Sequence, residues 1–199
     1  DIQFHFLPVA IRYDGKAPSE GHGFQLHVGP MRSKSRGFVR IKSSDPKSHP
    51  QIKFNYMTHE DDFPTFRKAL KLSREILSQS AMSQYYGGEI QPGNETTTDE
   101  GLDEFIKNNC ESAYHPCGTC KMGEKEDPTT VVENNCKVKG FNNFYVADSS
   151  IFPRICNGNL NSPSIMTGEK ASDHILGKSP LSASNLKPFA HPDWQNTQR

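Results

Sequence analysis

The run Ser112-Ala113-Tyr114-His115-Pro116-Cys117-Gly118-Thr119-Cys120-Lys121-Met122-Gly123 constrains this chain most, because a helix cannot easily pass through it. Pro116 pushes His115 towards extended backbone, and Gly118 permits a sharp turn just beyond. An imidazole fixed on an irregular, rigid segment suits proton transfer, since it titrates near neutral pH. The competing reading is a structural or surface histidine, the commoner fate of a single histidine.

Downstream, Asn157-Gly158-Asn159-Leu160-Asn161-Ser162-Pro163-Ser164-Ile165-Met166 reads as a polar loop turning into a helix. Pro163 fits the first helical turn, Ser162 or Asn161 can cap it, and Gly177 follows the last periodic residues, Ile175 and Leu176. Such a helix start offers free N–H groups and a partial positive charge to a developing anion, and Asn161 can add a side-chain hydrogen bond at the same place.

Upstream of the run, the pattern is first that of strands and then of helices. Ile2, Phe4 and Phe6 alternate with Gln3, His5 and Leu7; Phe24, Leu26 and Val28 alternate with Gln25 and His27; Val39 and Ile41 alternate with Arg40 and Lys42. These predict neighbouring strands of a largely antiparallel sheet, joined by turns at Asp14-Gly15 and Gly21-His22-Gly23 and by a solvated basic loop, Ser33-Lys34-Ser35-Arg36. Phe66, Ala69, Leu70, Leu72, Ile76 and Leu77 recur at helical spacing over residues 63 to 79, a stripe expected to be core. A second helix is expected from Thr97 or Thr98, with Leu102, Phe105 and Ile106 inward and Glu100 placed for a capping box. Phe144 to Ala147 predicts a short strand ending at Asp148. Residues 179 to 199 carry Pro180, Pro188 and Pro192 without periodicity and predict an irregular arm. The fold class is α+β, an antiparallel sheet packed with helices.

Charge and cysteines narrow the function. The 23 basic and 23 acidic residues cancel, which leaves no electrostatic footprint for nucleic acid. Hydrophobic content of 33% and a mean hydropathy of −0.73 are low for an independent domain, as expected of a chain whose core is completed elsewhere. Five cysteines, an odd number, favour reduced thiols in an intracellular compartment. Cys117 and Cys120 form a C-x-x-C that with His115 resembles half a zinc site, but Cys136 and Cys156 stand apart and supply no second pair, so no metal is expected.

The His115 run and the Gly158-Asn159-Leu160-Asn161 loop, taken with Asp1-Ile2-Gln3-Phe4-His5-Phe6-Leu7-Pro8, His27-Val28-Gly29-Pro30-Met31-Arg32, Val146-Ala147-Asp148-Ser149-Ser150-Ile151-Phe152-Pro153 and Glu169-Lys170-Ala171, resemble the C-terminal half of the glucose-methanol-choline family of flavin oxidoreductases. The resemblance implies hydride transfer from an alcohol carbon to FAD, with His115 as base. Asparagine at Asn161, where the glucose-oxidising branch has histidine, implies the choline-oxidising branch: choline to betaine aldehyde, and onward to glycine betaine. It implies catalytic roles for His115 and Asn161, substrate contacts for His5 and Tyr114, and cofactor contacts for Asp148, Ser149, Asn161 and Pro163.

It also implies a division into a substrate-binding domain, residues 1–142, a strand and helix completing the flavin site, 143–178, and the arm, 179–199. The partners implied are choline or a related small alcohol, an N-terminal FAD-binding domain and a respiratory electron acceptor, in the cytoplasm or at a membrane. No G-x-G-x-x-G follows a strand in this sequence and the chain starts at Asp1 within an apparent strand, so it is expected to be the C-terminal portion of a longer enzyme, holding no FAD and inactive alone. Another alcohol oxidoreductase of the same family, and a non-enzymatic zinc or interaction module, are the alternatives.

Overall fold

The alternation near the N-terminus forms a hairpin. In a computed structural model that describes residues 1–11 and 21–196, Ile2–Leu7 (β1) and Gln25–Pro30 (β2) pair antiparallel, with His5 directly opposite His27 and Phe4 opposite Val28. The turn expected at Asp14-Gly15 lies outside the described residues. The third predicted strand, Phe38–Arg40 (β3), does not join this sheet. It pairs with Gln51–Lys53 (β4), so the expected continuous sheet is two separate two-stranded ribbons among the described residues.

The basic connection runs between the two ribbons. Ser33 Oγ donates to Asp62 Oδ1 at 3.0 Å and Ser35 Oγ to Asp62 Oδ2, while the N–H groups of Thr58 and His59 donate to Ser35 Oγ. What reads as a solvated loop is therefore tied to a buried carboxylate between the end of β2 and the start of β3.

Asp62 opens α1 (Asp62–Leu77), where a carboxylate complements the positive end of the helix dipole. The stripe predicted as core is only partly so: Ala69 is buried, while Leu72 and Ile76 are exposed. α2 (Asp99–Asn109) packs against α1 through Leu102 and Ile106, and the Arg67 guanidinium grips both oxygens of Asp103 at 2.8 Å. Thr98 is its N-cap and accepts from the Gly101 N–H at 3.1 Å. Gly101 rather than Glu100 thus holds the third helical position, and the expected capping box does not form.

Beyond α2 the chain is mostly irregular yet well buried. Val132, Cys136, Val138, Ile151, Phe152 and Leu160 pack into one core with Ala171 of α3 (Asn161–Ile175). The strand expected at Phe144 to Ala147 is a single bridge: Val138 N–H donates to Phe144 O at 2.9 Å, Val146 N–H donates to Cys136 O at 3.0 Å, and Lys137 faces Tyr145. Its neighbour in sequence, Ser149–Ile151, forms one turn of 3₁₀ helix against which α3 packs. α3 begins at Asn161 with Leu160 as N-cap and no side-chain cap, so neither Ser162 nor Asn161 caps it as expected; both lie inside the first turn with Pro163. Residues 179 to 190 carry no helix or strand.

Candidate active site

Two segments far apart in sequence meet at one cleft. The 3₁₀ turn presents its carbonyls in a row, and Gly118, Cys120 and Met122 donate their N–H groups to Ser149, Ser150 and Ile151 at 3.4, 2.9 and 2.8 Å. Gly118 makes this approach with φ of +91°, and a Cβ there would meet the Phe152 carbonyl at 3.2 Å, so the turn read from the sequence requires glycine in two ways. The lacing sets Pro116 and His115 beside the start of α3.

The cleft is about 330 Å³ and is lined by Tyr114, His115, Pro116, Ser149, Leu160, Asn161 and Ser164. His115 and Asn161, paired on sequence grounds, therefore share it. The Leu160 N–H donates to His115 Nδ1 at 3.4 Å, which orients the ring and leaves Nε2 as the nitrogen not engaged by that bond. Leu160 itself is buried in the core, so the group that holds the imidazole is fixed from behind. Tyr114, just before His115, has φ of +59°, a left-handed conformation unfavourable for a bulky residue, and its side chain is 71% exposed at the mouth. Local strain of this kind persists where surrounding structure over-determines it.

The remaining expected site residues divide. Ser149 lines the cleft, and its hydroxyl donates to the Pro116 carbonyl at 3.3 Å. Asp148 does not line it; its carboxylate caps the 3₁₀ turn by accepting from the Ser150 N–H at 2.8 Å. Pro163 sits in the first turn of α3 and is not among the lining residues. His5 is exposed on β1 and is not among the lining side chains, although the far end of the β1–β2 hairpin comes close: a Cβ on Gly158 would touch Met31 at 3.4 Å. Sequence reasoning missed Ser164 and Leu160. Ser164 lies one helical turn after Asn161, a spacing that puts both on one face, and this was the available signal; nothing in the sequence marks a backbone N–H such as that of Leu160.

Burial bears on three of the five cysteines. Burial pushes the Cys117 thiol up, aided by Cys156 and opposed by Arg36; burial does the same to Cys110 and Cys136. Protonated thiols are poor nucleophiles and poor ligands. Among the described residues no group of three or more His, Cys, Asp or Glu side chains could hold a metal ion, and no helix is long and apolar enough to cross a membrane.

Comparison with known proteins bears on the same segments. Residues 33–168, which contain His115 and Asn161, match the family model described as GMC oxidoreductase. Over all 199 residues the chain is 61% identical to a protein of Brucella ovis and 59% identical to one of Sinorhizobium fredii, each named oxygen-dependent choline dehydrogenase. It spans 36% of the length of these curated relatives. Among solved structures, pyridoxine 4-oxidase from Mesorbium loti superposes with a TM-score of 0.76 at 29% identity, over 85% of this chain and 33% of that one. A fungal aryl-alcohol oxidase gives 0.67 at 29% identity, over 74% and 24%. The cleft where a proline-flanked histidine meets an uncapped helix start thus lies within the segment that matches the family model, and the chain belongs to the GMC oxidoreductase family.

Proposed function

We propose that this chain carries the catalytic side chains of an FAD-dependent choline dehydrogenase, which oxidises choline to betaine aldehyde. The observation that carries the reading is the meeting of His115 and Asn161 in one cleft. With its ring oriented through Nδ1, His115 takes the hydroxyl proton of the alcohol at Nε2. Asn161 hydrogen-bonds the same oxygen as charge develops on it and keeps it aimed. The exposed Tyr114 ring offers a π-face to the quaternary ammonium, which has no proton to donate and must be recognised by aromatic faces and carboxylates. The substrate contact proposed for His5 has no support from the cleft itself and is a separate question.

FAD, when bound, supplies the hydride acceptor. The residues present fit its redox end: the start of α3 carries no side-chain cap, and its free N–H groups and dipole suit an electron-rich ring, with Asn161 and Ser149 beside it and Pro163 fixing the first turn. Asp148 would act there through the turn it caps. They do not fit the nucleotide end, since the phosphate-cradling glycine motif is absent from the sequence. We propose accordingly that residues 1–142 belong to a substrate-binding lobe, that 143–178 complete the flavin site, and that an N-terminal FAD-binding region supplies the rest. The cleft lies between Tyr114–Pro116 of the first and Ser149 and Leu160–Ser164 of the second, which supports that division. Five free cysteines favour the cytoplasm.

Two electron acceptors compete: a respiratory component, as the resemblance implies, and molecular oxygen, as the name of the curated relatives says of them. The deciding experiment is the flavin spectrum of the complete enzyme. Anaerobic choline should bleach it, and reoxidation by a quinone analogue against air identifies the acceptor. A flavin that choline does not reduce, while another primary alcohol does, would replace this reading with another GMC alcohol oxidoreductase.

A further inference from the structure

The bonds that lace the His115 run to the 3₁₀ turn are not uniform. Those at Cys120 and Met122 are well made, at 2.9 and 2.8 Å, and the one at Gly118, nearest the histidine, lengthens to 3.4 Å. The backbone ladder weakens where accurate placement of the ring matters most. At that point a side chain adds a second tie of similar length: Ser149 Oγ donates at 3.3 Å to the carbonyl of Pro116, the residue bonded to His115. Ser149 is itself held, because Asp148 caps its turn through the Ser150 N–H and α3 packs on the same turn. The imidazole is then restrained from two sides, by Leu160 N–H at Nδ1 and by Ser149 through the Pro116 carbonyl.

We propose that Ser149 is a positioning residue for His115, its hydroxyl fixing the Pro116 peptide so that the ring faces the alcohol oxygen. This rests on the reading of His115 as the base. It gives Ser149 a duty distinct from a cofactor contact, and the two duties predict different failures. In a cofactor role the hydroxyl holds flavin, and its loss lowers flavin occupancy. In the positioning role its loss slows proton and hydride transfer while flavin stays bound.

The test uses the complete, flavin-loaded enzyme with Ser149→Ala, Ser149→Thr, His115→Ala and the double variant Ser149→Ala/His115→Ala. Flavin content, thermal midpoint and the rate of anaerobic flavin reduction by choline are measured across pH. Ser149→Ala should keep flavin content and thermal midpoint, slow flavin reduction about tenfold, and move the acid limb of the pH profile that the imidazole sets; Ser149→Thr, which retains a hydroxyl, should restore both. In the His115→Ala background the serine change should add nothing, since two residues acting through one group are not additive. Loss of flavin from Ser149→Ala with an unchanged rate in the loaded fraction would overturn the positioning role in favour of a cofactor contact. A Ser149→Ala enzyme that reduces its flavin at the parent rate, when His115→Ala does not, overturns the positioning role alone. A His115→Ala enzyme reducing its flavin at the parent rate overturns the reading of the base on which it rests.

Discussion

The segment from Cys117 to Ala171, though it also leaves Phe141, Phe144, Ile165 and Met166 exposed, gathers an apolar core that the two hairpins near the N-terminal end lack. In the first, a chain that is irregular up to α3 apart from one 3₁₀ turn buries Val132 completely and gathers Ile151, Phe152 and Leu160 around it. In the second, regular strands leave Phe6, Val39 and Ile52 half exposed and Ile41, next to β3, 89% exposed. The whole chain exposes 15290 Å², against roughly 9,400 Å² for a compact protein of this mass. Regularity and order of packing are therefore separate properties here. The irregular knot carries the cleft and gathers a core of its own, whereas the hairpins, although α1 packs against β2, keep Phe6, Val39, Ile41 and Ile52 at the surface. His115 and Asn161 are set by the knot; His5 rides on a hairpin and stands outside the cleft.

The sharpest way to break this contrast is through the two residues the knot brings together. In the complete enzyme His115→Ala should lower kcat and kcat/KM by about two to four orders of magnitude and abolish the rise of kcat/KM that a neutral imidazole produces with pH. Asn161→Ala should cost less, about 1.5 to 4 kcal/mol in the barrier, and keep that rise, because an amide orients but does not take the proton. Steady-state kinetics across pH distinguishes them, and an unchanged profile in His115→Ala with flavin bound would remove the base from this position.

Stability should follow the same division. Leu160→Ala, deleting a side chain buried in the knot behind the imidazole, should destabilise by about 2 to 5 kcal/mol. Ile41→Ala on the hairpin should stay within about 0.5 kcal/mol if that face is free in the enzyme. Urea unfolding measures both, and a large loss at Ile41 would show that another part of the enzyme covers the hairpin.

A smaller effect lies in acid. Lys121, from the His115 run, donates to Asp127 at 2.8 Å, and with the Thr129 hydroxyl and N–H it holds the Asp127 carboxyl well below the usual carboxylate range. A lowered folded value means the contribution is complete above the unfolded pKa, about 3.9, and is lost as pH falls towards the folded one. The stability gap between the parent and Asp127→Asn should hence be constant near neutrality and shrink below about pH 4. A gap that grows in acid would refute it. Smallest of all, replacing Cys117 and Cys120 with serine should leave turnover largely intact and metal content at zero by elemental analysis; loss of a bound ion would restore the zinc reading.

Legibility in the sequence follows the range of the interaction responsible. The three helices were readable because periodicity is local: α1 runs from Asp62 to Leu77 against an expected 63 to 79. The alternation of β1 and β2 was readable for the same reason. Their separation from β3 was not: the connection between them is tied through Ser33 and Ser35 to a carboxylate in α1, far along the chain, and β4 is too short and polar to announce itself. The strand expected at Phe144 to Ala147 has the right residues but pairs across one bridge only, its partner at Cys136 to Val138 ending at the turn through Gly140. For the site, residue types revealed His115 and Asn161. The backbone donor from Leu160 and the failure of His5 to enter the cleft are products of tertiary geometry that carry no residue code.

Because the His115 run is stitched to the 3₁₀ turn chiefly by main-chain groups, mutational drift has unusual latitude along it. Thr119 alternates with the donors and is spared that duty, so its side chain can change without unpicking the seam, whereas the Lys121 ammonium is tied to Asp127. The N–H donors at Cys120 and Met122 exclude proline, which lacks the N–H, and Met122 must also stay apolar because it packs against the core. A library randomising these positions should return broad chemical variety at 119, apolar residues at 122 and, at 120, most classes except the imino acid, so that relatives of this chain can diverge in letters along the seam while preserving the placement of one histidine.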